Sequence, residues 1–135
     1  MLLKLEFLSF KQILMTKDKN SKQYDLEERT LQFAKRVRVF VKKLPKTLAN
    51  IEDCRQLVKA SGSTGANYIE ANEALSKKDF VMRIKISRKE SKESRFWLKL
   101  VDTENDAELE KERMELITES TELMKIFGSI LQKSK

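Results

Sequence analysis

Histidine is absent from this chain of 135 residues. That absence excludes histidine-dependent triads, zinc and di-iron sites that use imidazole, and haem held by histidine. A single cysteine leaves no internal disulfide and no cysteine-based zinc site. One proline and three glycines allow few tight turns. An all-β fold of many hairpins and a Gly-rich phosphate loop are both disfavoured by that count. No stretch reaches the roughly 18 apolar residues that span a membrane. What remains is abundant charge: 36% of residues are charged against 40% apolar, with a net charge of +7. The apolar share is too high for a disordered chain.

The sequence divides into an N-terminal extension, residues 1–22, and a domain over residues 23–135. The start, MLLKLEFLSFKQILM, looks like a signal peptide, but Lys4, Glu6 and Lys11 interrupt it and no small-residue cleavage site follows. Met15 opens a more ordinary polar start, so residues 1–14 read as an upstream extension from a misassigned start codon. The alternative is a short amphipathic helix docked on the body or on a partner. Residues 16–24 read as a flexible lead-in.

Asp25 predicts an N-cap, with Glu27 and Glu28 in the first turn, where the helix dipole favours acids. Leu26, Phe33, Val37, Phe40, Val41 and Leu44 recur at helical spacing, and Pro45 ends the helix. A second helix is expected over about residues 48–75, with Ile51, Cys54, Leu57, Val58, Ser61, Gly65, Ile69 and Asn72 inward. Its SGSTGAN centre is weak in helix propensity. The continuous helix is preferred over a break because small residues let a neighbouring backbone come close. Ser76 and Asp79 resemble a shortened capping box. Behind them Phe80, Ile84, Ser87, Ser91, Ser94, Leu98 and Val101 form a strict 4-3-4-3 core stripe. A polar turn over residues 101–106 leads to a last helix over 106–132, with Met114, Ile117, Thr121, Met124, Phe127 and Leu131 as its expected inner face. Four helices joined by short turns read as all-α, an antiparallel up-down-up-down four-helix bundle.

Charge is unevenly distributed: residues 76–101 carry nine basic and three acidic side chains, and residues 102–135 carry five and nine. Lys35, Arg38 and Lys42 share the outer face of the first helix. Lys85, Arg88, Lys92, Arg95 and Lys99 form a basic stripe on the third. Glu108, Glu112, Glu115, Glu119 and Glu122 form an acidic stripe on the fourth. These rows admit three readings: solvated outer faces, a phosphate-binding surface, or complementary edges of neighbouring subunits. On the third helix Met82, Ile86, Phe96, Trp97 and Leu100 lie to one side of the core stripe. A second apolar arc needs a second partner, so these five are candidates for an oligomer interface.

Asn67, Glu70, Glu90 and Glu93 are candidates for a structural polar network with Arg83 or Lys89. A di-metal reading of these carboxylates fails on the missing histidines, so no metal and no cofactor are expected. Cys54 on an apolar face reads as core. No nucleophile–base pair emerges, and nucleases of the HEPN type need a histidine that is absent. No catalytic residue is assigned and the chain reads as a non-enzyme.

The runs YDLEERTLQFAKRVRVFVKKLPKTL, SGSTGANYIEANEALSKKDF and KISRKESKESRFWLKL resemble the four-helix bundle family also called 23S rRNA intervening-sequence proteins. Gly65 to Ala71, Lys78-Asp79-Phe80 and the Lys89-Glu90…Glu93…Trp97-Leu98 segment carry most of the likeness, which spans about residues 24–130. One departure is Ser87, Ser91 and Ser94, where many relatives have alanine. The resemblance implies an all-α bundle that assembles as a homopentamer. It also implies kinship with the accessory variability determinant of diversity-generating retroelements, a basic pentamer that binds nucleic acid beside a reverse transcriptase. The expected function is therefore a non-catalytic cytoplasmic oligomer that binds RNA or DNA, or a reverse transcriptase complex, through Lys35, Arg38, Lys42, Lys85, Arg88, Lys92, Arg95 and Lys99. The alternative is an adaptor that binds protein partners and uses its charge rows in subunit contacts. No membrane role is expected, since residues 1–14 carry little basic charge.

Overall fold

Each helix begins at a side chain that accepts a hydrogen bond from its first turn. Asp25 accepts from the Glu28 amide at 3.2 Å, Thr47 from Asn50 at 3.1 Å, Ser76 from Asp79 at 3.1 Å, and Asp106 from Leu109 at 2.9 Å. These caps satisfy amides that have no partner within the helix. In the computed structural model, which describes residues 7–8 and 25–135, they start α1 (Leu26–Lys43), α2 (Leu48–Asn72), α3 (Lys77–Leu100) and α4 (Ala107–Lys133). No strand occurs among the described residues. The flexible lead-in, Met15 and most of the proposed extension lie outside the described residues.

The connections are short, so consecutive helices run antiparallel. Around the bundle α1 neighbours α2 and α4, and α3 neighbours α2 and α4, which places α1 and α3 diagonally. Buried Asn50 ties two connections at one end: its side-chain amide donates to Pro45 O (3.0 Å) and Asp102 O (2.8 Å), and its Oδ1 accepts from Asp102 N (2.9 Å). Between α3 and α4, Glu104 and Asn105 adopt left-handed φ values of 53° and 61°. The Asp102 carboxylate supports this turn by accepting from the Glu104 amide.

Phe33, Phe40, Phe80 and Phe127 fill the core together with Leu57, Ile84, Leu98, Leu116 and Leu123. The predicted α3 stripe is buried along its whole length, from Phe80 to Val101. Its serines stay satisfied: Ser87 Oγ donates across to Thr64 O at 3.0 Å, while Ser91 and Ser94 donate to carbonyls one turn back. Small side chains on both sides, Ala60, Ser61 and Thr64 against the three serines, make α2/α3 the most extensive packing in the bundle. The α2 helix runs unbroken through SGSTGAN. Gly65 is required there, because a Cβ would meet Thr30 Oγ1 of α1 at 2.8 Å.

Two expected faces are corrected. On α2 the buried row is Asn50, Cys54, Leu57, Ala60, Ser61, Thr64, Tyr68 and Ala71, while Ile51 and Ile69 are exposed. On α4 it is Leu109, Leu116, Ser120, Leu123, Phe127 and Ile130, and Met114 is exposed. α4 carries two adjacent apolar rows one residue apart, and packing selects the one that includes Ser120. Of the N-terminal segment, Phe7 is buried and meets Phe80 edge-on, with ring centroids 5.7 Å apart.

Candidate nucleic-acid interface

The fate of each charged row follows from where the buried row of its helix points. On α4 the acids lie one residue before the core positions, which turns them towards α1. There they find cations spaced seven apart. Arg29 Nε and Nη2 donate to the two oxygens of Glu119, both at 2.8 Å, a bidentate pair. Lys43 Nζ reaches Glu112 Oε2 at 3.1 Å and Arg36 Nη2 reaches Glu115 Oε2 at 3.9 Å. Beside them runs an open groove of about 540 Å³ whose charged lining is Lys35, Arg36, Lys111, Glu108, Glu112 and Glu115. Cations and carboxylates are equal in number there.

The α3 basic row lies one residue after its core positions, and its two arginines face α4. Between these helices runs a second open groove of about 540 Å³, lined by Arg88, Arg95, Thr121, Met124, Lys125, Gly128, Ser129 and Gln132. It contains three cations and no carboxylate. The Arg88 guanidinium lies over Gly128, where a Cβ would stand 3.8 Å from Arg88 Cζ and Nε. Arg95 Nη1 donates to Thr121 Oγ1 at 3.3 Å, and that hydroxyl donates to Ile117 O at 2.9 Å. Lys85, Lys92 and Lys99 are exposed and continue the row. No carboxylate among the described residues forms an ion pair with any of the five α3 cations. Lys125 is loosely paired to Glu122 at 3.8 Å, with both side chains well exposed. Where the row ends, Arg113 donates to Val101 O and pairs with Glu110, closing the C-terminus of α3.

The other predicted cations lie elsewhere. Lys35, Arg38 and Lys42 are exposed on α1. Arg38 donates to Ala34 O and extends towards Gly62 of α2. Since α1 is diagonal to α3, the eight cations divide between separate faces of one chain. Sequence reasoning missed Arg29, Arg36 and Lys43, whose seven-residue repeat marks them as one row. It also missed the α4 wall of the basic groove, whose signal is a lone glycine within a helix.

Met82, Phe96 and Leu100 are each just over half exposed, and Ile86 is half-buried. Trp97 packs against the core and meets Phe96 edge-on at 4.9 Å, and its Nε1 is buried with no hydrogen-bond acceptor among the described residues. Of the polar network, Arg83 Nη1 donates to Asn67 Oδ1 at 3.1 Å and Asn67 Nδ2 donates to Ser63 O. Burial, reinforced by the neighbouring Glu93, holds the Glu90 carboxyl above the ordinary range, while Lys89 and Lys59 oppose the shift. Glu70 is exposed and forms no hydrogen bond or ion pair among the described residues. Cys54 is buried beside Val41, Leu44 and Ile51, and burial pushes its thiol pKa up. Among the described residues no group of three acids or cysteines is placed to hold a metal ion.

Connectivity, caps and core together define an antiparallel four-helix bundle protein. The family of 23S rRNA-intervening sequence proteins matches residues 22–129, and this chain belongs to that family. It is also similar to a crystal structure from Bacteroides thetaiotaomicron, described as a protein with unknown function from the S23 ribosomal protein family. The two share 28% identity with a TM-score of 0.69, over 79% of this chain and 98% of that one. No curated protein matches the chain. No helix among the described residues is long and apolar enough to cross a membrane.

Proposed function

We propose that this protein is a non-catalytic, self-associating bundle of the cytoplasm that binds nucleic acid through the α3/α4 face. The observation that carries this reading is a groove lined by Arg88, Arg95 and Lys125 with no carboxylate. α4 has acids enough to neutralise it, but three of them are held by α1. Lys85, Lys92 and Lys99 extend the positive row, and the chain as a whole carries +7. Such a surface attracts phosphates by charge and gains affinity from counterion release, with little sequence preference. RNA, DNA or a ribonucleoprotein such as a reverse transcriptase complex are partners of this chemistry. Assembly as a homopentamer belongs to the same reading and would repeat the basic face around a ring.

A second reading takes the chain as an adaptor for protein, and the half-exposed Met82, Phe96 and Leu100 favour it. One pair of measurements separates the two. Protein prepared without a high-salt step is sized by chromatography with light scattering, with absorbance recorded at 260 and 280 nm. The double variant Arg88→Glu, Arg95→Glu is then compared with wild type for binding labelled RNA. The nucleic-acid reading expects steeply salt-dependent binding that the double variant loses with its assembly intact. Wild type that binds no RNA at low salt, or a double variant that dissociates, moves the assignment to the adaptor.

A further inference from the structure

We infer that the α3/α4 groove takes a single-stranded polynucleotide, its sugar–phosphate backbone lying along Lys85, Arg88, Lys92, Arg95 and Lys99. This rests on the nucleic-acid reading above and narrows it to one kind of strand.

Width is the first reason. Packed helices stand about 8–10 Å apart, and a groove between them is no wider than that scale. A duplex is too broad to enter it. The converse docking also fails: a major groove about 12 Å wide admits one helix, but α3 is flanked by α2 and α4 along its length. A duplex would touch only the crest of α3, where two convex surfaces share few contacts.

The second reason is the shape of the row. Lys85 to Lys99 is fourteen residue steps, about 21 Å at 1.5 Å per step, with a cation every 5 Å or so. The row is almost straight. A strand in a duplex winds away from a straight row, whereas a flexible single strand can be laid along it, phosphate after phosphate. Arg88 and Arg95 both lie against α4. Gly128 leaves room beside the Arg88 guanidinium, and Arg95 is steadied by a neutral hydroxyl that leaves its charge uncompensated. A guanidinium so placed presents parallel N–H donors to phosphate oxygens.

The third reason concerns the bases. No residue lining the groove is aromatic. Trp97 packs on the core, and the half-exposed Phe96, one turn from Lys92 and from Lys99, borders the row outside the groove lining. Without a stacking platform inside the groove the site reads chiefly backbone, so affinity should depend little on base identity.

Fluorescence anisotropy with a labelled oligouridine, an oligoadenine and the duplex they form tests this at matched salt, on wild type and two variants. The single strands should bind alike and at least about tenfold more tightly than the duplex. Gly128→Leu fills the groove without changing charge and improves helix propensity; it should lose about tenfold or more in single-strand affinity with a melting temperature no lower than wild type. Arg88→Ala with Arg95→Ala should make the slope of log affinity against log salt shallower by about 1.4, two phosphates at about 0.7 each. Duplex binding as tight as single-strand binding, or a folded Gly128→Leu variant with wild-type affinity, overturns the single-strand inference and leaves the nucleic-acid reading standing. Should Gly128→Leu fail to fold, an unchanged salt slope in the arginine variant overturns the placement of the strand. Wild type that binds none of the three probes removes both.

Discussion

Two grooves of equal volume flank α4, and they differ in sign. The α1/α4 groove is lined by three cations and three carboxylates, the α3/α4 groove by three cations and no carboxylate. The helix they share explains the difference. Its acids step along the α1 side of the core row, where Arg29, Arg36 and Lys43 meet them. On the α3 side the same helix presents Thr121, Met124, Gly128 and Ser129. A one-residue offset turns a helix face by about 100°, so a chain with mixed composition builds one neutral seam and one basic seam. Overall charge would not distinguish them, whereas the partner of each row does.

The largest test of this contrast reverses one arginine on each seam. Arg29 is mostly buried and bound through two N–H groups to Glu119. Arg29→Glu sets two carboxylates together in a partly dry site and should cost about 3 kcal/mol, the lower end for broken buried pairs because this one keeps some solvent. For a chain of this size that is about a 10 °C fall in melting temperature. Arg88→Glu, exposed and unpaired, should change stability by less than about 0.5 kcal/mol. Thermal melts followed by circular dichroism decide it. Equal losses in the two variants would mean that the basic groove is structural after all.

The two helical glycines offer the next contrast. A methyl at Gly65 meets Thr30 Oγ1 at 2.8 Å and Thr30 Cβ at 3.1 Å, while one at Gly128 reaches the Arg88 guanidinium only at 3.8 Å. Gly65→Ala should therefore lose about 2 kcal/mol, as overpacking does. Gly128→Ala should gain up to about 1 kcal/mol from helix propensity. A Gly128→Ala variant that melts below wild type would show that the Arg88 seat is tighter than ordinary contact.

Smaller still is a contrast within the neutral seam. Glu119→Gln removes a charge-assisted bidentate bond and should cost about 1–2 kcal/mol after discounting for partial exposure. Glu115→Gln breaks a 3.9 Å contact between side chains about half exposed and should cost under about 0.5 kcal/mol. Raising salt should narrow the gap between the two variants.

How much of this was legible in the sequence depended on how many registers each helix offered. α3 has a single apolar row, Phe80 to Val101, and its three serines kept the spacing strict, so its core was legible residue by residue. α4 pairs Leu116 with Ile117, Leu123 with Met124 and Ile130 with Leu131, which leaves two rows a residue apart. Packing against α3 decides between them, and periodicity does not. On α2 the buried set includes Asn50, whose amide is satisfied by Asp102 some fifty residues on, and Tyr68, whose ring meets Phe127 of α4. The α3 basic row was legible because it runs beside an unambiguous core. That it faces a wall without acids was not, because that wall is the misread side of α4. The division of the eight cations between diagonal helices follows from topology, which consecutive spacing does not display.

The smallest predicted effects come from two glutamates with opposite shifts. Arg113 and Thr103 both donate to the Glu110 carboxylate and hold its pKa below the ordinary range. The fold therefore prefers Glu110 charged. Its contribution is present above the usual glutamate pKa of about 4.3 and is lost as pH falls through the lowered value. Glu90 is the reverse case. Burial and Glu93 hold its pKa up, so the fold prefers it protonated. Its contribution is present below about 4.3 and is lost as pH rises through the raised value. Glu110→Gln should then destabilise near neutrality, with the deficit shrinking in acid. Glu90→Gln should stabilise slightly near neutrality, with the advantage disappearing in acid. Melts of both variants between roughly pH 3 and 7 check the pair of signs. Parallel pH profiles would mean that one of the two shifts runs in the opposite direction. Opposed profiles would set a carboxylate fixed by Arg113 and Thr103 beside the C-terminus of α3 against one held up by burial and Glu93.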